Sequence, residues 1–156
     1  MNKGFLSGSG KDDWETPEDL FKVLDLEFGF TLDPCATADN AKCEKFYTIK
    51  EDGLAQSWEG ERVFMNPPYG RKIYDWIQKA WYECGHSLVV ALIPARTDTA
   101  WWHRYVMTAS EIRFIKGRVR FSGSGDNAPF PSAVVVFDDR KREAMPKVRS
   151  LVQAWK

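Results

Sequence analysis

Three cysteines in 156 residues, with no C-x-x-C pair among them, leave this sequence without a disulfide framework. Cys35, Cys43 and Cys84 are far apart, and His86 adds no regular ligand spacing, so the pattern calls for no metal. The longest apolar run, Leu88–Ile93, is far short of the roughly 18 residues that suggest a membrane span. The opening residues MNKGFLSGSGK hold one apolar dipeptide among glycine and serine, not the apolar stretch of a signal peptide. An excess of one charge is also missing. With 22 Lys and Arg against 22 Asp and Glu, any nucleic-acid contact must come from a local basic patch. His86 and His103 lack a serine or acid companion, so a hydrolase triad is not supported. The expectation is a soluble, cytoplasmic protein with a flexible tail over residues 1–11 and one domain over 12–156. A domain of that size buries roughly 70% of its unfolded surface and needs no staple.

What the chain does have is aromatic: 14% of its residues, including seven tryptophans. That content fits a heavy core or a binding cleft. Thr16 reads as an N-cap, with Pro17 opening a helix that buries Leu20, Phe21, Val23 and Leu24 and fades near Gly29. A short strand, Phe30–Leu32, runs into Asp33-Pro34. Residues 35–60 read as loop with at most one short helix. A second strand, Arg62–Met65, stops at Asn66-Pro67-Pro68-Tyr69-Gly70, because two prolines forbid further sheet pairing.

Ile73, Trp76, Ile77, Ala80, Trp81 and Cys84 then form one face of an amphipathic helix ending at Gly85. Leu88–Ile93 reads as a central strand covered on both faces and ended by Pro94. Thr97–Thr99 can cap a short helix bearing Trp101, Trp102, Tyr105 and Val106. Ile112–Ile115, Val119–Phe121 and Ala133–Phe137 are further strand candidates. A last helix is expected from Pro146, with Val148, Leu151, Val152 and Trp155 at helical spacing. Asp138-Asp139 before Arg140-Lys141-Arg142 reads as a solvated strand exit. The alternation predicts an α/β fold with a mostly parallel central sheet, helices on both faces and an antiparallel terminal hairpin. In such sheets ligands bind beyond the C-terminal ends of the strands, here Asp33-Pro34, Asn66–Gly70 and Pro94-Ala95-Arg96.

Asn66-Pro67-Pro68-Tyr69 carries the most chemistry. The Asn66 amide oxygen and the Pro67 carbonyl are acceptors, and prolines bring no competing N–H. Tyr69 offers a flat face to a planar group. Two acceptors on one conjugated amino group localise its lone pair and make it nucleophilic toward a methyl donor. Positioning supplies the rest of the rate.

In this order, and over about residues 12–137, the chain resembles the phage-type DNA N-6-adenine methyltransferases (Dam-like). They are a branch of the S-adenosylmethionine-dependent amino-methyltransferases. The resemblance is carried by Asp12-Asp13-Trp14-Glu15-Thr16-Pro17, Leu32-Asp33-Pro34-Cys35-Ala36, Asp52-Gly53-Leu54 with Trp58, and Asn66–Gly70. Ile93-Pro94 with Asp98–Trp102, Gly117–Phe121 and Ala128–Ser132 complete it. It implies a Rossmann-like methyltransferase fold, S-adenosylmethionine as cofactor and DNA as substrate. Asn66, Pro67, Pro68 and Tyr69 would grip the adenine N6 amino group. Thr16 and Pro17 would reach the methionine end of the cofactor. Asp33 would pair with its ammonium group, with Pro34 and Ala36 beside it and Asp52 near its adenine. Phe130 would help hold a flipped base.

Two departures stand out. No glycine-rich turn follows the first strand, and no insertion is large enough for a separate target-recognition domain. Specificity would then come from loops 34–60, 96–104 and 116–131, from a homodimer or from another partner. Trp101 or Trp102 fits either the base pocket or the core. Arg71, Lys72, Arg96, Lys116, Arg118 and Arg120 read as phosphate contacts when taken as a set on the loops, and as a solvated face when taken singly. A methyltransferase acting on an RNA base or a glutamine amide, and a non-catalytic binding module, are the competing readings.

Overall fold

The chain is ordered as α1 (Glu18–Phe28), β1 (Leu32–Asp33), β2 (Lys45–Phe46), β3 (Arg62–Met65), α2 (Ile73–Glu83), β4 (Leu88–Pro94), α3 (Ala100–Arg104), β5 (Glu111–Ile115), β6 (Ser132–Phe137) and β7 (Lys147–Leu151). This is a computed structural model that describes residues 14–123, 125–141 and 143–155. The expected tail over 1–11, and Asp12-Asp13, lie outside the described residues.

One seven-stranded sheet has the order β2-β1-β3-β4-β6-β5-β7. Neighbours pair in parallel except at β6, which runs against both β4 and β5. The central strand β4 is buried along its whole length, as its unbroken apolar run requires. The C-terminal ends of β1, β3, β4 and β5 therefore share one rim. The start of β6 joins them, since Ser132 pairs with Pro94. The loop 116–131 leaves that rim and returns to it. Asp33-Pro34, Asn66–Gly70 and Pro94–Arg96 come together there as the strand exits predict.

Several local expectations change. The last helix is instead strand β7, paired in parallel with β5 from Glu111–Lys147 to Ile115–Leu151. Val148 and Val152, the intended buried face, stay 63% and 57% exposed. The outer edge of β5 would otherwise leave a row of backbone groups unpaired, and residues 147–151 satisfy it. Val119–Phe121 forms no strand, although Val119 and Phe121 are buried. The Val119 carbonyl accepts from Ala128 N, and Ser122 N donates to the Glu15 carbonyl. The first strand is shifted to Leu32–Asp33, and residues 35–60 contain the edge strand β2.

Helix α1 begins after Pro17, whose φ of −59° and ψ of 137° make it the cap position. No side chain caps this end. Thr16 is therefore not the cap; its hydroxyl is engaged elsewhere. Val23 is 39% exposed, while Phe28 takes a place on the buried face. Helix α2 buries Ile73, Trp76, Ile77 and Ala80 as the spacing predicts. The Thr99 side chain caps α3, accepting from Trp102 N.

At the opposite end of the sheet, a cavity of about 230 Å³ holds a charge network. Buried Arg113 donates to both carboxylate oxygens of Glu27, each at 2.6 Å, and to Glu111 at 2.9 Å. It ties α1 to β5 on the side away from the strand exits.

Candidate active site

Asn66 stands where β3 must stop, and its side chain is fixed on one side only. The amide nitrogen donates to the Trp14 carbonyl and to Thr16 Oγ1, the latter at 2.8 Å. The amide oxygen is buried and has no hydrogen-bond partner. Ser132 Oγ, at the start of β6 on the same rim, is another buried oxygen without one. A buried unpaired acceptor costs about 1–3 kcal/mol, so an uncompensated one is retained against stability. The Asn66 backbone carbonyl accepts from Cys35 Sγ at 3.2 Å, joining the exits of β1 and β3. Pro67 is buried and Pro68 half-buried.

Tyr69 does not present an open face. It is 1% exposed, its hydroxyl donates to the Leu92 carbonyl at 3.0 Å, and burial pushes its phenol well above the usual range. Its ring meets Phe130 at 5.6 Å and Phe121 at 6.1 Å, both edge-on. Trp14 closes the group, edge-on to Phe130 at 5.1 Å and tilted on Phe121 at 5.4 Å. Phe130 thus lies against Tyr69. Trp101 is buried elsewhere, its ring on Trp102, which stacks on Phe114. Tyr69→Phe should cost about 1 kcal/mol of stability through the lost bond to Leu92, with methyl transfer within a few-fold of wild type. A thermal melt paired with a transfer assay checks this, and a collapse of transfer at full stability would contradict it.

The residues assigned to the cofactor gather around the exit of β1. Asp33 is buried, and burial pushes its carboxyl up to about 6. Its oxygens accept from Lys42 N at 3.0 Å and Cys35 N at 3.4 Å. No ion pair to a cationic side chain is formed among the described residues, because Lys42 Nζ goes to Glu18. Pro34 and Ala36 are buried beside it. Asp52 is exposed, with a left-handed φ of 57°, and its carboxylate accepts from Leu54 N. Gly53 brings this turn to β1: a Cβ on it would lie 2.0 Å from the Pro34 carbonyl oxygen. Thr16 and Pro17 adjoin Asn66 through the Thr16 hydroxyl.

All six proposed phosphate contacts are exposed. Arg71 and Lys72 follow the tetrapeptide, Arg96 follows β4, and Lys116, Arg118 and Arg120 follow β5. Arg96 Nη1 reaches the Tyr69 carbonyl at 3.5 Å, and Arg120 donates to the Gly125 carbonyl at 2.9 Å. Sequence reasoning missed Trp14, Phe121 and Cys35 as site residues. Trp14 and Phe121 stand in the motifs that carry the resemblance, Asp12–Pro17 and Gly117–Phe121, but neither is given a role there.

A mostly parallel sheet with one reversed strand carries Asn-Pro-Pro-Tyr and a buried aspartate at its strand exits, the arrangement expected above of an S-adenosylmethionine-dependent amino-methyltransferase. The chain belongs to the DNA N-6-adenine-methyltransferase (Dam) family, whose sequence profile it matches over residues 5–152. It is similar to the DNA N-6-adenine-methyltransferase of Haemophilus phage HP1, 30% identical over 149 residues, which cover 90% of this chain and 86% of that protein. It is also similar to the DNA N-6-adenine-methyltransferase of Escherichia phage T1, 33% identical over 109 residues, 68% of this chain but 45% of the relative. The chain thus spans under half the length of the T1 protein. The fold is shared with a modification subunit from Vibrio vulnificus YJ016. That match has a TM-score of 0.55 at 12% identity, covering 92% of this chain and 48% of that one.

Proposed function

We propose that this chain carries out its family's reaction at the rim described above, methylating the N6 amino group of adenine in DNA. The observation that carries the residue assignment is Asn66 Oδ1, an acceptor buried, unpartnered and aimed from a strand exit. It suits an amino group, which brings the N–H that this oxygen lacks. Asn66 Oδ1 and the Pro67 carbonyl accept the two hydrogens of that group. They stabilise the positive charge that develops on nitrogen as the new bond forms. Neither oxygen is basic enough to keep a proton, which passes to water.

S-adenosylmethionine supplies, when bound, a sulfonium-activated methyl group that an amine displaces directly. Asp33 fits its ammonium group: a buried carboxylate with free acceptor capacity and no cationic side chain paired to it among the described residues. Pro34 and Ala36 line that exit with small, apolar surface, and Asp52 lies at its edge. Thr16-Pro17 adjoins Asn66 through the Thr16 hydroxyl.

An adenine paired in a duplex hides its amino group, so the base must be extruded at a cost of a few kcal/mol. Trp14, Tyr69, Phe121 and Phe130 form the aromatic wall that offsets this, with Trp14 and Phe130 only half-buried. The six exposed cations on the rim loops hold the phosphates. Target discrimination falls to loops 34–60, 96–104 and 116–131, alone or across a homodimer. No helix among the described residues is long and apolar enough to cross a membrane, and the reaction belongs where DNA is, in the cytoplasm.

The test is transfer of a tritiated methyl group to duplex DNA, RNA and protein in parallel. Label in N6-methyladenine of DNA supports the reading; label confined to RNA or protein, or none despite cofactor binding, refutes it.

The Asp33 carboxyl gives a pH prediction. Its folded-state pKa of about 6 lies above the ordinary 3.8. The folded protein therefore holds the extra proton between these values, and stability falls as pH rises through that window. Cofactor affinity should run the other way, because only the ionised carboxylate attracts the ammonium group. Calorimetry should show S-adenosylmethionine binding tightening as pH rises through about 6 and levelling above it. Asp33→Asn should bind more weakly with a flat profile. Parallel profiles in the two proteins would remove Asp33 from this role.

A further inference from the structure

The side-chain amide of asparagine has two donors on nitrogen and one acceptor oxygen, and a half-turn about its last bond exchanges them. At Asn66 the exchange matters, because an amide presenting nitrogen would meet an incoming amino group donor to donor. Nothing in the tetrapeptide itself decides which way the amide faces. The deciding contacts come from a segment about fifty residues earlier in the chain. The Trp14 carbonyl can only accept, and Asn66 Nδ2 donates to it. The other hydrogen of Nδ2 goes to Thr16 Oγ1 at 2.8 Å, a hydroxyl on a residue 3% exposed. Turning the amide over would set its oxygen against the Trp14 carbonyl, two acceptors in a dry site.

The segment that supplies both acceptors is itself tied down. Ser122 N donates to the Glu15 carbonyl at 2.9 Å, making an antiparallel bridge, and Pro17 follows at once with its restricted φ. Trp14 is further packed on Phe121 and Phe130. Thr16 lies between the Glu15–Ser122 bridge and Pro17, and its hydroxyl meets the catalytic tetrapeptide and caps no helix.

We propose that Thr16 is a positioning residue: the Trp14 carbonyl, which can only accept, selects the rotation of the Asn66 amide that turns oxygen and not nitrogen toward the amino group to be methylated, and the Thr16 hydroxyl locks that rotation by accepting the second Nδ2 hydrogen. This deepens the function proposed above and rests on it. It gives the Thr16 hydroxyl a role different from cofactor binding. The Trp14 share is carried by backbone and is insensitive to the identity of that side chain; the Thr16 share is carried by a hydroxyl that substitution can remove.

The test compares wild type, Thr16→Val, which keeps the shape without the acceptor, and Thr16→Ser, which keeps the acceptor. Three quantities are read: the single-turnover methyl-transfer rate at saturating cofactor and DNA, the Kd for each, and hydrogen exchange of the Asn66 side-chain amide by NMR, assigned with Asn66→Ala. Thr16→Val should slow the single-turnover rate by about tenfold, the loss of one hydrogen bond to a preorganised group, with both Kd values within about twofold. Its Asn66 amide should exchange faster. Thr16→Ser should return both rate and exchange to within about twofold of wild type.

A wild-type single-turnover rate in Thr16→Val overturns the proposal. So does a weakened cofactor Kd with an unchanged rate at saturation, which would make Thr16 a cofactor contact. Equal losses in the Val and Ser variants overturn it too, since the hydroxyl would then not matter. If wild type transfers no methyl group to DNA, the functional reading fails by itself. The amide exchange comparison still decides whether Thr16 orients Asn66. Thermal melts of all variants separate these outcomes from misfolding, with Thr16→Ser as the folded reference.

Discussion

Asn66→Ala should bind S-adenosylmethionine as wild type does and transfer methyl groups on the order of 100- to 1,000-fold more slowly. The substitution removes a buried oxygen at the exit of β3 that can only accept and, among the described residues, has nothing to accept from. A preorganised group aimed at developing charge contributes that much because it needs no reorganisation when the charge appears. It also strips the Trp14 carbonyl and Thr16 Oγ1 of their donor, at a cost of about 1–2 kcal/mol in stability. The assay belongs below the melting transition of the variant. Tritium incorporation into duplex DNA and calorimetry of the cofactor read the two halves. Loss of cofactor binding in step with transfer would place Asn66 in the cofactor site, and near-normal transfer would remove it from the reaction.

The second large effect is on folding. Gly53→Ala should lower stability by about 3 kcal/mol or more and the melting temperature by roughly 6–12 °C. The new Cβ would stand 2.0 Å from the Pro34 carbonyl oxygen and 3.0 Å from both the Pro34 carbonyl carbon and the Trp76 ring. The first two are backbone atoms, so no rotamer change relieves the clash. Gly53 has no positive φ; the glycine is required by contact, not by conformation. Its carbonyl accepts from Trp58 Nε1 at 3.0 Å, and Trp58 stacks on Trp76. Moving the turn therefore loosens this buried tryptophan pair and separates Asp52 from Asp33-Pro34. A melt within about 2 °C of wild type would show that the contact is not tight.

The site was readable in the sequence to the extent that its chemistry is written in strand exits. Proline after an apolar run ends a strand whatever surrounds it, so Asp33-Pro34, Asn66-Pro67-Pro68 and Pro94 mark three ends from local chemistry alone. The parallel course of β1, β3 and β4 then brings them to one rim. Phe130 was placed by resemblance and does lie against Tyr69. The face of Tyr69 was not readable, because the residues that cover it, Phe121, Phe130 and Trp14, are brought there by the 116–131 loop and by a segment more than fifty residues earlier.

The sequence by itself determined the elements whose signal is local: α2 from its 3.6-residue stripe, β4 from an unbroken apolar run that needs cover on both faces, and the acceptor-rich turn Asn66–Tyr69. Tertiary structure decided the cases in which two readings were locally equal. Val148 and Leu151 suit a helix as well as a strand, and the unpaired edge of β5 made them part of strand β7. Thr16 suits a helix cap, and the donors of Asn66 took its hydroxyl instead. In both, the choice fell to hydrogen-bonding groups that would otherwise be left unpaired, and only the folded chain brings those groups within reach.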